Sequence, residues 1–203
     1  MQPALSGALA RLFEEDVHIA NRWMLGEITF MDVIEKMDLP PIEAMSNDHL
    51  GELLIQDCMQ MRVNVELMEV LVEHQHSVRL VIATDNMDCF SRAFRALQLA
   101  GPEHTDAHDS LRRWIDTWHG MISSSDVGTL KGLDPKHFYS ATLDSFGLDF
   151  SNALLIDDRE DNCDAFRSVG GTAIRWHMDD GIGLLRAQLG SWGKRVHEGL
   201  RSV

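Results

Sequence analysis

The sequence predicts an α/β fold in which a parallel, doubly wound sheet is preceded by a small all-helical unit. Three observations lead there. Residues 4 to about 60 carry apolar side chains at helical spacing, with no run that reads as a strand. From about residue 63, short apolar runs alternate with helical stretches in the order βαβαβαβ, the grammar of a parallel sheet wrapped by helices. Three of those runs end in side chains able to do chemistry: Thr84, Ser124, and the pair Asp157-Asp158. In an open α/β sheet, ligands bind at that carboxyl rim.

The helical unit, residues 1–60, opens with Leu5, Leu9, Leu12 and Phe13, followed by Ile19 and Trp23. Gly26-Glu-Ile-Thr29 reads as a turn with Thr29 capping a helix over 30–36, which Leu39-Pro40-Pro41 ends. Ser46-Asn47-Asp48 offers caps for a second helix containing Leu50, Leu53 and Leu54. The methionines of this region read as adaptable core filler rather than ligands. The α/β part, residues 61–203, begins with a helix over 64–75 and a buried strand, Arg79-Leu-Val-Ile-Ala-Thr84. A helix over 87–99 shows Phe90, Phe94 and Leu97 on one face and stops at Gly101-Pro102. Leu111, Trp114, Ile115 and Trp118 form a short helical stripe, and Met121-Ile-Ser-Ser124 a short strand. Helix 136–146, strand 153–158, helix 160–169 and strand 172–176 complete the series, whereas the tail after Gly190 has no readable role.

A chain of 203 residues with 44% hydrophobic composition can bury a full core. Its formal net charge of -14 argues against a general nucleic-acid surface, which needs basic side chains to displace phosphate counterions. No apolar run approaches the roughly 20 residues of a membrane span, and Arg11, Glu14 and Glu15 interrupt any signal-peptide core. Cys58, Cys89 and Cys163 lie far apart without a CxxC pair, which suggests neither a disulfide framework nor a zinc knuckle. A soluble cytoplasmic protein is the expectation, with no nucleic-acid or membrane partner.

The strand-end residues have parts for phosphoryl chemistry. The Thr84 hydroxyl can donate to a phosphoryl oxygen, Lys131 can offset negative charge, and Asp157 and Asp158 can hold Mg²⁺ with Asn162 in support. Asn86 and Ser124 are the cofactor-binding candidates. Each residue also has an ordinary reading. The two acids can cap the following helix, Lys131 can be a solvated charge, and Thr84 can be a plain strand-end hydroxyl. His74/His76 and His104/His108 lack a third metal ligand in view, and Arg112-Arg113 with Trp114 and Trp118 reads better as an amphipathic helix than as a stacking platform.

These residues resemble the haloacid dehalogenase-like (HAD) superfamily of phosphatases and related hydrolases, in the members with a small helical cap. Thr84 is similar to the second motif of that family, Lys131 within Ser124-Ser-Asp-Val-Gly-Thr-Leu-Lys to the third, and Leu155-Ile-Asp-Asp158 with Asn162 to the fourth. Trp23-Met-Leu-Gly-Glu-Ile-Thr29 resembles the turn of such caps. The resemblance implies a Rossmann-like core, Mg²⁺ as cofactor, a small phosphorylated metabolite as substrate and an aspartyl-phosphate mechanism, with Asp158 as the leading metal ligand and Asp157 as its neighbour.

The family's nucleophile lies in a DxDx[TV] motif on the first central strand, and no such motif occurs in these 203 residues. That strand would lie between those ending at Thr84 and Asp158. Its absence leaves three accounts: Met1 is an internal or misassigned start, which is favoured; another segment fills the gap; or the two strands close up. Gly132 stands where the family has Pro, which makes Lys136, beside Asp134-Pro135, a second and weaker lysine candidate. Asp85 stands where Asn is common. The expectation is a HAD-like hydrolase of phosphatase type that lacks its nucleophile and is inactive as this chain. The alternative is a non-catalytic phosphate- and Mg²⁺-binding regulatory or interaction protein.

Overall fold

The computed structural model describes residues 11–36, 46–101 and 109–200. Leu5 and Leu9, the Pro40-Pro41 stop and the His104/His108 pair lie outside the described residues. The chain divides into two compact units, residues 1–130 and 131–203.

The first unit begins with helices α1 (Val17–Met24), α2 (Phe30–Lys36), α3 (Asn47–Met59) and α4 (Val65–Val72). Local side chains set their starts. Thr29 and Asp32 form a reciprocal cap, in which the Thr29 N–H donates to Asp32 Oδ2 at 2.7 Å and the Asp32 N–H to Thr29 Oγ1 at 3.3 Å. Ser46 Oγ accepts from the His49 N–H and Asn64 Oδ1 from the Leu67 N–H, satisfying donors that have no partner within a helix's first turn. Strand β1 (Val81–Thr84), helix α5 (Asp88–Ala100), a 3₁₀ turn at Leu111–Thr117, strand β2 (Gly120–Ser123) and the short helix α6 (Ser124–Val127) follow. β1 and β2 pair in parallel, with Thr84 opposite Ser123.

Helix α5 serves two cores. Cys89 joins Trp23, Phe30, Val33, Leu50 and Leu54 in the core of the helical segment, where Trp23 Nε1 donates to Asp88 Oδ1 at 2.7 Å. On its other side, Phe90, Phe94 and Leu97 pack with Leu111 and Ile115, against Ile82 of β1 and Met121 of β2. Leu111, Ile115 and Trp118 of the stripe at 111–118 face this core, with residues 111–117 in 3₁₀ rather than α geometry.

The second unit holds helix α7 (Pro135–Ser145), strand β3 (Leu154–Asp157), helix α8 (Glu160–Ser168), strand β4 (Thr172–Arg175) and helix α9 (Ile182–Leu200). Asp134 caps α7 through the His137 N–H, with Pro135 at the first helical position, where its missing N–H costs nothing. Phe138, Tyr139, Phe150 and Phe166 pack edge-on, with Tyr139 and Phe166 4.9 Å apart and Phe150 and Phe166 5.6 Å apart. Only glycine fits at 171, because a Cβ there would lie 2.2 Å from the Phe166 ring. β3 and β4 are parallel, with Asp157 opposite Arg175.

The α/β class and the parallel pairing agree with the sequence, and the four strands fall within two residues of their expected bounds. The order of pairing is less continuous than a βαβαβαβ series implies. Among the described residues the ladders are β1 with β2 and β3 with β4, and no third strand joins either.

Candidate functional site

The carboxyl end of β3 builds a charged cluster around Asp157. Strand β3 alternates its side chains and delivers Asp157 to the interior, whereas Asp158, just past the strand's end, is exposed. Lys131 Nζ lies 2.6 Å from Asp157 Oδ2, with side-chain exposures of 13% and 3%, so this is an ion pair withdrawn from water. Asp157 Oδ1 accepts from the Arg159 N–H at 2.9 Å and from Asn162 Nδ2 at 3.1 Å. The Asp157 carbonyl accepts from the Trp176 N–H at 2.9 Å, tying the strand end to the chain after β4. Burial alone raises the Asp157 carboxyl pKa. The Lys131 ammonium, the Arg159 N–H and the Asn162 amide outweigh that effect and hold it below the usual carboxylate value.

Helix α8 places Asn162 in its first turn, where the side chain turns back to Asp157. Gly132 accommodates it: a Cβ at 132 would lie 2.6 Å from Asn162 Oδ1. The departure from the family's proline at that position thus has a local steric partner. Cys163, fully buried behind the cluster, has its thiol pushed up to about 11 by burial and by the nearby Asp157 charge. Lys136, in the first turn of α7, is exposed.

The ends of β1 and β2 form a second, uncharged cluster. The Asn86 N–H donates to Ser124 Oγ at 3.0 Å, and the Ser124 hydroxyl donates to the Met24 carbonyl at 2.7 Å. The Ser123 hydroxyl donates to the Asn86 carbonyl at 3.0 Å, and Asn86 Oδ1 accepts from the Met87 N–H at 2.9 Å. Gly26, at φ +70°, comes so close to this point that a Cβ would lie 2.0 Å from the Ser125 carbonyl oxygen. The turn singled out in the sequence, Trp23 to Thr29, is therefore docked on the exit of β2. Thr84 is half-buried at the end of β1, opposite Ser123.

The structure brings Lys131, Asp157 and Asn162 into direct contact, and likewise Asn86 with Ser124. Asp158 is exposed and stands beside the cluster rather than in it. Sequence reasoning, following the family resemblance, gave Asp158 the leading metal role and Asp157 the neighbouring one; of the two, Asp157 is buried and Asp158 exposed. It also missed Ser123 and the steric part of Gly132, neither of which carries a signal without the fold.

The donors were weighed for Mg²⁺. Mg²⁺ is held in proteins by one or two carboxylates, with phosphate oxygens and water completing an octahedron. Asp157 has three of its lone-pair positions engaged, and Asp158 adds one further carboxylate. Among the described residues no group of three or more His, Cys, Asp or Glu forms a metal cage. The set fits a cation shared with a phosphate, and fits poorly a cation held by protein alone.

No protein-family model matches the chain, and no curated protein matches it either. Solved structures do. A HAD family enzyme from Bacteroides thetaiotaomicron, crystallised as a variant with magnesium and inorganic phosphate, superposes with a TM-score of 0.56 at 17% identity, over 80% of this chain and 77% of that one. Its wild-type form with the same ligands gives 0.52 at 16% identity, over 75% and 71%. A predicted HAD-like family hydrolase from Porphyromonas gingivalis gives 0.56 at 11% identity, over 82% and 77%. The fold of this chain is haloacid dehalogenase-like.

Proposed function

We propose that the chain is a HAD-like, hydrolase-type protein that binds the phosphoryl group of a small phosphorylated metabolite together with Mg²⁺, and that these 203 residues do not complete a phosphatase turnover. The observation that carries the reading is the buried Lys131–Asp157–Asn162 cluster at the end of β3. An ammonium and a carboxylate kept out of water, at the strand rim where such folds bind ligands, are poised for an anion and a cation. The magnesium and phosphate bound by the Bacteroides thetaiotaomicron enzyme support the ligand class.

Asp157 takes the leading role toward the metal and Asp158 the secondary one, the reverse of the order that the resemblance implied. Bound there, Mg²⁺ would supply charge neutralisation to a phosphoryl oxygen. Lys131 would contact the phosphoryl group, and Asn162 would orient Asp157. Asn86 and Ser124 would position the strand ends through the hydrogen bonds described above. The helical segment, residues 1–60, is assigned the part of the cap, on the strength of the Gly26 turn docked at Ser124 and Ser125. Turnover is not expected because no DxDx[TV] motif is present to supply a nucleophilic carboxylate.

Titration calorimetry with inorganic phosphate, with and without Mg²⁺, tests this reading beside an aryl phosphate assay. Phosphate binding should require Mg²⁺, weaken at least tenfold in Lys131→Met, and be accompanied by no phosphate release. Binding unchanged by that substitution refutes the site, and robust Mg²⁺-dependent release refutes the lack of turnover. Among the described residues no helix is long and apolar enough to cross a membrane.

A further inference from the structure

Cys58 and Cys89 are remote in sequence and adjacent in space. Cys89 lies in the first turn of α5, 1% exposed, inside the core it shares with Trp23, Phe30, Leu50 and Leu54. Cys58 lies in the last turn of α3, is half-buried, and packs against that core and against the second one around Phe90 and Phe94. Cys58 packs against the core that contains Cys89, across the seam between α3 and α5, and both thiols are free. Nothing in the proposed phosphate site uses either residue.

We propose that Cys58 and Cys89 form a reversible disulfide under peroxide, a modification site that links the helical segment to α5. The chemistry divides between them by exposure. Cys58, the accessible thiol, attacks a peroxide oxygen as its thiolate. The O–O bond breaks, a sulfenic acid forms on Cys58, and water leaves. Cys89, shielded from bulk oxidant, attacks the Cys58 sulfur. The S–S bond forms as the S–O bond breaks, and the Cys89 proton leaves with hydroxide as a second water. The balance is two thiols and one hydrogen peroxide to one disulfide and two waters.

The environment favours that order. The Cys89 thiol donates toward Cys58 and lowers the Cys58 pKa, against the opposing effects of burial and of the Asp57 and Asp88 charges. The same interaction and burial raise that of Cys89. Cys163, buried and pushed up to about 11, should stay out of the reaction. A thiol pair at this contact tethers two helices from different stretches of chain, so oxidation should rigidify the packing of α3 on α5.

The test uses the full chain, first as the wild type and then as one variant. After treatment with hydrogen peroxide, thiols are titrated in denaturant and the protein is mapped by non-reducing peptide mass spectrometry. The expected result is loss of two of the three thiols, a Cys58–Cys89 linked peptide, an unmodified Cys163, and full recovery with dithiothreitol. In Cys89→Ser, a dimedone adduct should accumulate on Cys58. Retention of all three thiols, a Cys58 that stops at the sulfenic or sulfinic acid in the wild type, or a disulfide between two chains would each overturn the proposal. Circular dichroism of the oxidised and reduced forms checks that the linkage forms in folded protein, and linkage only after unfolding overturns it as well.

Discussion

The two clusters at strand ends use polar groups in opposite ways. At the ends of β1 and β2, Asn86, Ser123 and Ser124 are neutral, and apart from a Ser123–Ser125 hydroxyl contact the hydrogen bonds described for them run to backbone: the Asn86 carbonyl, the Met24 carbonyl and the N–H groups of Asn86 and Met87. At the end of β3, Asp157 and Lys131 are charged and satisfy each other. The first arrangement fixes where a turn docks. The second holds two charges that a ligand of either sign can recruit. Burial of polar groups marks both places, and only the kind of partner separates architecture from a binding site.

The largest expected effect lies on the charged side. Lys131→Met leaves Asp157 as an uncompensated buried charge and should cost about 3–5 kcal/mol of stability, read by urea unfolding of the full chain. Lys131→Met with Asp157→Asn removes both charges and should recover most of that loss. If the double variant is no more stable than the single, the pair is not coupled as described. The same carboxyl sets an acid dependence. Its folded pKa lies below the unfolded value of about 3.9, so its stabilisation is full above that value and is lost as pH falls through the folded pKa. Far-UV circular dichroism between about pH 5 and 2 should show a shallower acid loss in Asp157→Asn.

Gly26→Ala comes next. It combines a φ of +70° with a Cβ 2.0 Å from the Ser125 carbonyl oxygen, and left-handed strain together with overpacking suggests about 2–4 kcal/mol. Ser124→Ala follows at about 1–3 kcal/mol, for a fully buried hydroxyl whose partners Asn86 N–H and Met24 carbonyl would lose it. Both should leave Mg²⁺-dependent phosphate affinity within about twofold wherever the protein stays folded, since 0.4 kcal/mol is near the scatter of distant substitutions. A tenfold loss in folded Ser124→Ala would return Ser124 to the binding residues and erase the contrast between the two clusters.

Much of this was legible in the sequence. Apolar runs fixed the four strands closely, because a buried strand is short, continuous and bounded by polar turn residues. The joint occurrence of Thr84, Lys131 and Asp157-Asp158 at strand ends pointed to the rim. Four matters were not legible. Which of two adjacent acids is buried depends on strand alternation, which a run of apolar residues does not reveal. The pairing of strands into separate ladders is a long-range property that local periodicity does not encode. Helix α9 continues through Gly190 and Gly193, residues that weaken helices intrinsically, and it is anchored by the burial of Leu185 and Leu189. The packing of Cys58 on the core that holds Cys89 was likewise invisible, because spacing in sequence says nothing about two helices that pack.

The smallest expected stability effect separates the two aspartates most sharply. Asp158 is exposed, so Asp158→Asn should change unfolding free energy by no more than about 0.5 kcal/mol. Its effect on ligand binding should be larger than its effect on folding. A second carboxylate beside Asp157 adds charge and one oxygen donor to a cation whose other ligands are phosphate and water, so its loss should raise the Mg²⁺ concentration needed for half-maximal phosphate binding severalfold without abolishing binding. Asp157→Asn should abolish it. If Asp158→Asn is instead the variant that abolishes binding, while Asp157→Asn retains it in folded protein, then the buried pair with Lys131 is structural and the exposed carboxylate leads. In that case the charged cluster would belong with the neutral one, as architecture.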